Sequence, residues 1–239
     1  MIPKVIHYCW FGRGKKPKLA RKCIESWKRV CPDYQIIEWN EDNFDLHQHP
    51  YLQWCYAQKK WAFLSDFARL LILAEQGGIY LDTDVEIIRS LDDLLRYDAF
   101  FGFEDDAHLN TGHGFGCTPH HPAVEAMAEK YRALTPDTKG AFPIMTCPQV
   151  NTDALIPYGL VLNGQHQNVL GAEILPTDFL NPYDDPTGRL RKTANTYSIH
   201  WYGKSWLSPK AILKSRLMKP LHRIFGTEFI LFRIMRKKK

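Results

Sequence analysis

Apolar and polar positions along the first ninety residues switch between strand-like runs and helical spacing. Val5-Ile-His-Tyr-Cys-Trp10 is a short β-rich run closed by Phe11-Gly12-Arg13-Gly14, which predicts a first strand and its loop. Leu19, Cys23, Ile24, Trp27 and Val30 recur at helical intervals, predicting a helix over 17–30 with one buried face. A Pro32-Asp33 turn leads into a second strand, Tyr34–Trp39, and this β-α-β opening favours a parallel sheet. A longer helix is expected from about Tyr56 to Gln76, where Trp61, Leu64, Ala68, Leu71 and Ile72 keep the helical period and Gly77-Gly78 stops it. The extended run Ile79–Ile88 follows, interrupted by Asp82 and Asp84, although carboxylates are poor strand formers. Such a local breach of propensity is where function is expected. Further strands are expected at Ala99–Phe103, Gly114–Cys117 and Tyr197–Trp201, with a helix near 122–134. The class is α/β, one domain with irregular insertions.

Composition narrows this picture. With 239 residues, 45% hydrophobic and 13% aromatic, the chain can bury one sizeable core, and no polar low-complexity tract indicates disorder. The six cysteines form no CxxC pair, so free buried thiols in a reducing compartment are expected. No signal peptide is read at Met1-Ile-Pro-Lys and no apolar run reaches spanning length, so a cytoplasmic protein is expected. The net charge of +5 is unevenly placed: residues 203–239 hold eleven Lys/Arg against the single acid Glu228, leaving 1–202 acidic. That split counts against nucleic acid as a partner.

Asp82-Thr83-Asp84 offers two short hard carboxylates that turn toward one cation if the strand bends or ends there, with coordination positions left for a diphosphate. A solvated turn after a strand is the bland alternative. Ser65-Asp66-x-x-Arg69 sits on the preceding helix with its charges three residues apart, hence on one face. Phe63, Leu64, Phe67, Leu70 and Leu71 make that helix largely apolar, and a charged pair held within it calls for a reason.

The run Ser65–Val85, which holds both carboxylate sets and the Gly-Gly turn, resembles the central signature of the DXD-containing sugar transferases, glycosyltransferase family 32. That family includes fungal mannosyltransferases, animal α-galactosyltransferases and bacterial capsule enzymes, with the large clostridial glucosylating toxins as distant relatives. Ile2–Gly12 is similar to the family's opening strand. Thr146-Cys-Pro-Gln is similar to its Thr-Gly-Pro segment, with Cys147 in place of glycine, and Ile199-His-Trp-x-x-x-Ser-Trp206 to its closing segment.

The resemblance implies a single GT-A type nucleotide-diphospho-sugar transferase domain over 1–206, Rossmann-like with a mixed sheet. It further implies Mn²⁺ or Mg²⁺ as cofactor and a nucleotide sugar, a UDP-sugar before a GDP-sugar, as donor. By the same resemblance Asp84 coordinates the metal directly, Asp82 binds the donor and reaches the metal through water, and His200 is a third ligand. Asp66 and Arg69 hold the transferred sugar, Ser65 lies near base or ribose, and Ser205 and Trp206 close the donor site. Trp10 either stacks on the nucleobase or packs in the core, and Tyr80 either contacts the donor or is core. Anomeric configuration is retained. The acceptor, a saccharide or lipid-linked saccharide of surface polysaccharide or glycolipid synthesis, is expected to meet Glu104, Asp105, Asp106, Asn110 and His113. His47, His49, His120 and His121, in Pro-flanked loops, are expected at the surface.

Residues 207–239 read as a basic amphipathic helical tail. Leu213, Leu217, Leu221 and Ile224 line one side among Lys210, Lys214, Arg216, Lys219 and Arg223. This composition suits the anionic cytoplasmic surface of a membrane, the alternative being a helix docked on the core. Competing readings are a toxin-like protein O-glycosyltransferase, a metal-dependent phosphohydrolase using Asp82 and Asp84, and a non-enzymatic binding module. The phosphohydrolase lacks further Asp/His ligands in a recognisable motif, and a binding module has no need of both charged sets.

Overall fold

The computed structural model describes residues 1–204 and 207–227. In chain order these form β1 (Val5–Cys9), α1 (Lys18–Val30), β2 (Gln35–Trp39), α2 (Pro50–Ala57), α3 (Trp61–Gln76), β3 (Gly78–Tyr80), β4 (Val85–Ile87), β5 (Ala99–Asp105), β6 (His108–Leu109) and β7 (Phe115–Cys117). There follow α4 (Pro122–Arg132), α5 (Cys147–Leu155), β8 (Gln167–Val169), β9 (Ala172–Leu175), α6 (Thr177–Leu180), β10 (Tyr183–Asp184), β11 (Arg189–Leu190), β12 (Ser198–His200) and α7 (Pro209–Phe225).

The main sheet runs β2-β1-β3-β7-β5-β9-β8, with β6 paired to β5. β2, β1 and β3 are mutually parallel, β7 runs against both β3 and β5, and β5 pairs in parallel with β9. The expected mixed α/β sheet is therefore present. Its residues alternate between two cores, as the period of two in a strand requires. On β5, Ala99, Phe101 and Phe103 join the core under α2, α3, α4 and α5, while Phe100 faces the core that holds Trp27 of α1.

Where the chain departs from its expected elements, the cause is local. The single helix foreseen over 56–76 is two helices: the polar turn Gln58-Lys59-Lys60 breaks it, and Lys59 takes a left-handed conformation (φ 55°). The extended run Ile79–Ile88 is likewise two strands, because the Asp82–Asp84 turn separates β3 from β4. His121 is buried and not at the surface, since its ring nitrogen accepts the Ala123 N–H and caps α4. His49 caps α2 in the same way through Tyr51.

Two devices aim the Asp82–Asp84 turn. On one side, α1 clamps β4: the Trp27 indole donates to the Val85 carbonyl at 2.7 Å, and Ser26 Oγ accepts the Ile87 N–H at 3.0 Å. On the other, α3 ends at Gly77 (φ 65°), and Gly78 (φ 97°) starts β3 at once. A Cβ on Gly78 would lie 2.9 Å from both His7 Nε2 and the Val5 carbonyl oxygen. Only glycine allows that approach at that backbone angle.

Helix α7 is present as foreseen, but its attachment is polar. Lys219 Nζ reaches Tyr183 Oη at 2.7 Å and Asp185 at 3.0 Å, and Arg223 donates to the Thr187 and Gly188 carbonyls. Leu213, Leu217, Leu221 and Ile224 remain exposed, Ile224 by 73%. The expected stripe thus faces away from the β10–β11 hairpin that holds the helix.

Replacing Gly78 with alanine is expected to lower the unfolding free energy by about 1–3 kcal/mol, read as a reduced midpoint in urea at unchanged slope. An unaltered midpoint would mean that the approach to His7 carries no strain.

Candidate active site

Helix α3 turns Asp66 and Arg69 inward, and Arg69, 2% exposed, is the centre of the site. Its Nη2 lies 2.8 Å from Asp66 Oδ1 and 3.0 Å from Asp82 Oδ1. Its Nε donates to the Ser65 carbonyl at 3.1 Å, and its guanidinium lies 4.8 Å from the Tyr80 ring centroid. Tyr80 in turn donates its hydroxyl proton to Asp82 Oδ1 at 3.0 Å. A guanidinium buried in this way stays charged because both carboxylates and an aromatic face surround it. Burial pushes the Asp66 carboxyl up to about 7, with Arg69 opposing the rise and Asp82 adding to it.

Asp84 points elsewhere. β12 pairs antiparallel with β4 and sets His200 opposite Val85, which brings His200 Nε2 to 3.2 Å from Asp84 Oδ1. The Gly203 N–H donates to Asp84 Oδ2 at 2.6 Å. Burial works against the Asp84 charge, yet His200 and the backbone donors hold its carboxyl down at about 2. Burial also works against a charged His200, and Asp84 outweighs it, so the imidazole titrates above its ordinary range.

This second cluster fits a divalent cation in its donor chemistry. A hard carboxylate oxygen and an imidazole nitrogen face each other across the gap a proton now bridges, a pair that Mn²⁺ or Mg²⁺ accepts. The three-residue set of Asp82, Asp84 and His200 is not gathered, and no group of three or more such side chains placed for a metal occurs among the described residues. Arg69 and Tyr80 draw both Asp82 oxygens away from Asp84. Asp82 therefore adjoins the pair as a neighbouring charge.

The remaining expected residues divide. Ser65 joins the site through its backbone carbonyl. Trp10 is half-buried at the end of β1, in a separate cleft of about 250 Å³; its indole donates to Gly14 and Lys16 Nζ lies 5.5 Å from its ring. Ser205 and Trp206 lie outside the described residues. Glu104, Asp105 and Asp106 line a larger cleft of about 600 Å³. Asn110 and His113 do not share it; both are buried, the His113 ring lies 6.2 Å from that of His200, and burial keeps the His113 ring neutral.

The loop over 110–113 borders the candidate site, and of its residues only Asn110 and His113 are expected from the sequence to take part. Asn110 Oδ1 accepts the Gly112 N–H at 2.6 Å, and the Gly112 carbonyl accepts the Asp82 N–H at 3.2 Å. A Cβ at Gly112 would stand 2.6 Å from Asp82 Oδ2 and 3.1 Å from Arg69 Nη1. Behind Arg69, Asn151 Nδ2 donates to Thr111 Oγ1 at 3.0 Å, and Cys147 Sγ lies 3.6 Å from Arg69 Nη1. The segment singled out at Thr146-Cys147 thus backs the guanidinium, with a thiol where the resembling family has no side chain.

Known proteins resemble this chain in fold and over part of its sequence. In fold, the chain is similar to the PaToxG glycosyltransferase (TM-score 0.50, 20% identity, 65% of this chain and 69% of the other). It is also similar to a glycosyltransferase involved in the glycosylation of the major capsid of PBCV-1 (TM-score 0.50, 13% identity, 91% and 99%). The fold is that of GT-A glycosyltransferases. Residues 17–101 match the family described as the glycosyltransferase sugar-binding region containing the DXD motif, and in that stretch the chain is similar to those DXD sugar transferases. Among curated relatives, an uncharacterised glycosyltransferase of Acanthamoeba polyphaga mimivirus is 31% identical over 52% of this chain and 53% of its own length. Inositol phosphoceramide mannosyltransferase 3 of Schizosaccharomyces pombe is 33% identical over 41% of this chain and 29% of its own. A human α-1,4-N-acetylglucosaminyltransferase is 32% identical over 44% and 26%. The chain thus spans about half the length, or less, of these curated relatives.

Replacing Arg69 with methionine leaves Asp66 and Asp82 without their shared cation. A loss of about 3–5 kcal/mol in unfolding free energy is expected by chemical denaturation, and a variant as stable as the parent would show that the two carboxylates do not depend on Arg69.

Proposed function

We propose that the protein transfers a hexose or N-acetylhexosamine from a nucleotide diphosphate sugar, a UDP-sugar foremost, to a saccharide or lipid-linked saccharide acceptor. Surface polysaccharide or glycolipid synthesis is the process this serves, at the cytoplasmic face of a membrane. The observation that carries the reading is the doubled arrangement of Asp66–Arg69–Asp82 beside Asp84–His200, two charged clusters built on an otherwise apolar helix and strand pair. The mannosyl- and N-acetylglucosaminyltransferases among the relatives support the donor class.

In this reading Asp66 and Arg69 bind hydroxyls of the transferred sugar, and Asp82 holds the donor while Arg69 and Tyr80 fix its carboxylate. Trp10, with Lys16 over its ring, offers the base a stacking face. Asp84 and His200 would hold a divalent cation, whose chemistry when bound is to neutralise charge on the departing diphosphate. Configuration is retained by substitution on one face: the anomeric C–O bond to phosphate breaks, the acceptor oxygen bonds to the same carbon, and its proton passes to the departing phosphate oxygen. No side chain here is assigned as a covalent nucleophile, and the residues act by positioning and by charge stabilisation.

Incubation with Mn²⁺ and a panel of nucleotide sugars should release nucleotide from at least one donor, UDP-linked before GDP-linked. The Asp84→Ala variant should keep its fold by circular dichroism and lose on the order of 10²-fold or more in rate. No turnover and no thermal protection by any donor would defeat the reading.

The tail is the proposed membrane contact, and the outward position of Leu213, Leu217 and Ile224 beside exposed Lys214 and Arg216 supports it. Among the described residues no helix is long and apolar enough to cross a membrane. Co-sedimentation with vesicles containing phosphatidylserine is expected to fall when Leu217 and Ile224 are both changed to glutamate. Equal sedimentation of parent and variant would count against the contact.

A further inference from the structure

The cleft of about 600 Å³ lined by Glu104 and Asp106 is joined to the Asp84–His200 pair through one side chain, Tyr202. The Tyr202 ring centroid is 4.1 Å from that of His200, and its hydroxyl donates to Glu104 Oε1 at 3.0 Å while accepting from Asn181 Nδ2 at 2.7 Å. Tyr202 holds a left-handed backbone conformation (φ 48°), which a tyrosine rarely adopts without surrounding structure to fix it. Asn181 also lines the cleft. It is 3% exposed, and its Oδ1 has no hydrogen-bond partner among the described residues. A buried amide oxygen left unpaired here points to a donor arriving from outside the chain.

The charge of the cleft is one-sided. Asp178 and Asp184 add to Glu104, Asp105 and Asp106; Asp178 accepts from Thr193 Oγ1 and Asn195 Nδ2, Asp184 accepts from Thr187 Oγ1, and Asp105 meets the His108 ring. Asp185 is neutralised by Lys204 at 2.5 Å and Lys219 at 3.0 Å. Arg191 is the one cation among the described residues lining the space. Ionised carboxylates accept hydrogen bonds and donate none, which matches the hydroxyl groups of a sugar and repels an anion.

Resting on the transferase reading, we propose that this cleft receives the acceptor, and that its unneutralised carboxylates restrict the acceptor residue to a hydroxyl-rich sugar without negative charge. The aromatic face of Tyr202 beside His200 and the unpartnered Asn181 amide oxygen at the cleft wall set that sugar next to the transfer site, and uronic or phosphorylated sugars are turned away by charge.

Saturation-transfer NMR on the full chain tests this with methyl glycosides of gluco, galacto and manno configuration, each as the neutral sugar, the 2-amino sugar and the uronate. The expected result is contact with at least one neutral or amino glycoside and binding about tenfold weaker for its uronate counterpart. In the Glu104→Gln/Asp184→Asn double variant, whose shape is conserved, that gap should close. A uronate that binds as well as its neutral partner overturns the proposal, as does a gap unchanged in the variant, or the absence of any glycoside binding while donor hydrolysis persists. Donor hydrolysis measured in parallel reports on the transferase reading by itself, so the two fail separately.

Discussion

The site depends on one guanidinium that cannot reach water. Arg69 sits in the apolar interior between Asp66 and Asp82, and its charge is tolerable there because every donor it presents is directed at an acceptor within the chain. That requirement shapes its neighbours. Asp82 must leave the line of β3 to meet it, Tyr80 must supply an aromatic wall, and residue 112 must lack a Cβ so that the loop can pass above the pair. The bend that separates β3 from β4 is thus enforced from α3 as much as by the aspartates' own dislike of strands. Once Asp82 is held on one side, Asp84 is free to face the other, where β12 delivers His200. Two adjacent carboxylates consequently acquire opposite tendencies: Asp84 is kept ionised by an imidazole, while burial raises Asp82 against the pull of Arg69.

What the sequence made legible was whatever lay close along the chain. Asp66 and Arg69 are one turn apart on α3, and the Gly-Gly stop fixes how soon Asp82 follows. The parallel β1-β2 opening and the buried face of α1 also follow from short-range periodicity, and Trp27 is buried as its spacing requires, whereas the clamp of Trp27 and Ser26 on β4 is a contact across the fold. His200 became a candidate through family resemblance, since nothing in a lone histidine on a late strand announces that it will meet a residue of β4. Helix α2 lay almost wholly outside the expected elements, and the break at Lys59 rests on a left-handed residue that apolar spacing does not mark. The Thr111–Gly112 turn and Asn151 were hidden for another reason: their roles arise only by contact across the fold, and glycine at a close approach looks in sequence like any loop glycine. Asn151 and Cys147 lie one turn apart on α5; Cys147 reaches Arg69 from behind and Asn151 donates to Thr111 and Cys147, which gives the Thr146-Cys147 segment a physical place in the site.

The tail helix inverts a common arrangement. Amphipathic helices ordinarily lay their apolar side on the protein and leave charges in solvent. In α7 the cations Lys219 and Arg223 make the attachment, through an aspartate, a phenol and backbone carbonyls, and the leucines are left outward. The proposed membrane contact would cover that stripe.

The segment from Tyr183 to Leu190 has a different consequence. One side of this hairpin walls the acidic cleft through Asp184, and the other cradles α7 through Asp185, Thr187 and Gly188. It is a two-residue ladder in contact with both, so a displacement of it would be felt on both sides. An occupant of the cleft that favours one hairpin position changes the free energy of helix attachment, and linkage requires that whatever engages the helix return the same factor to the cleft. Access to the acidic space and the seating of the tail would then be coupled through this one hairpin.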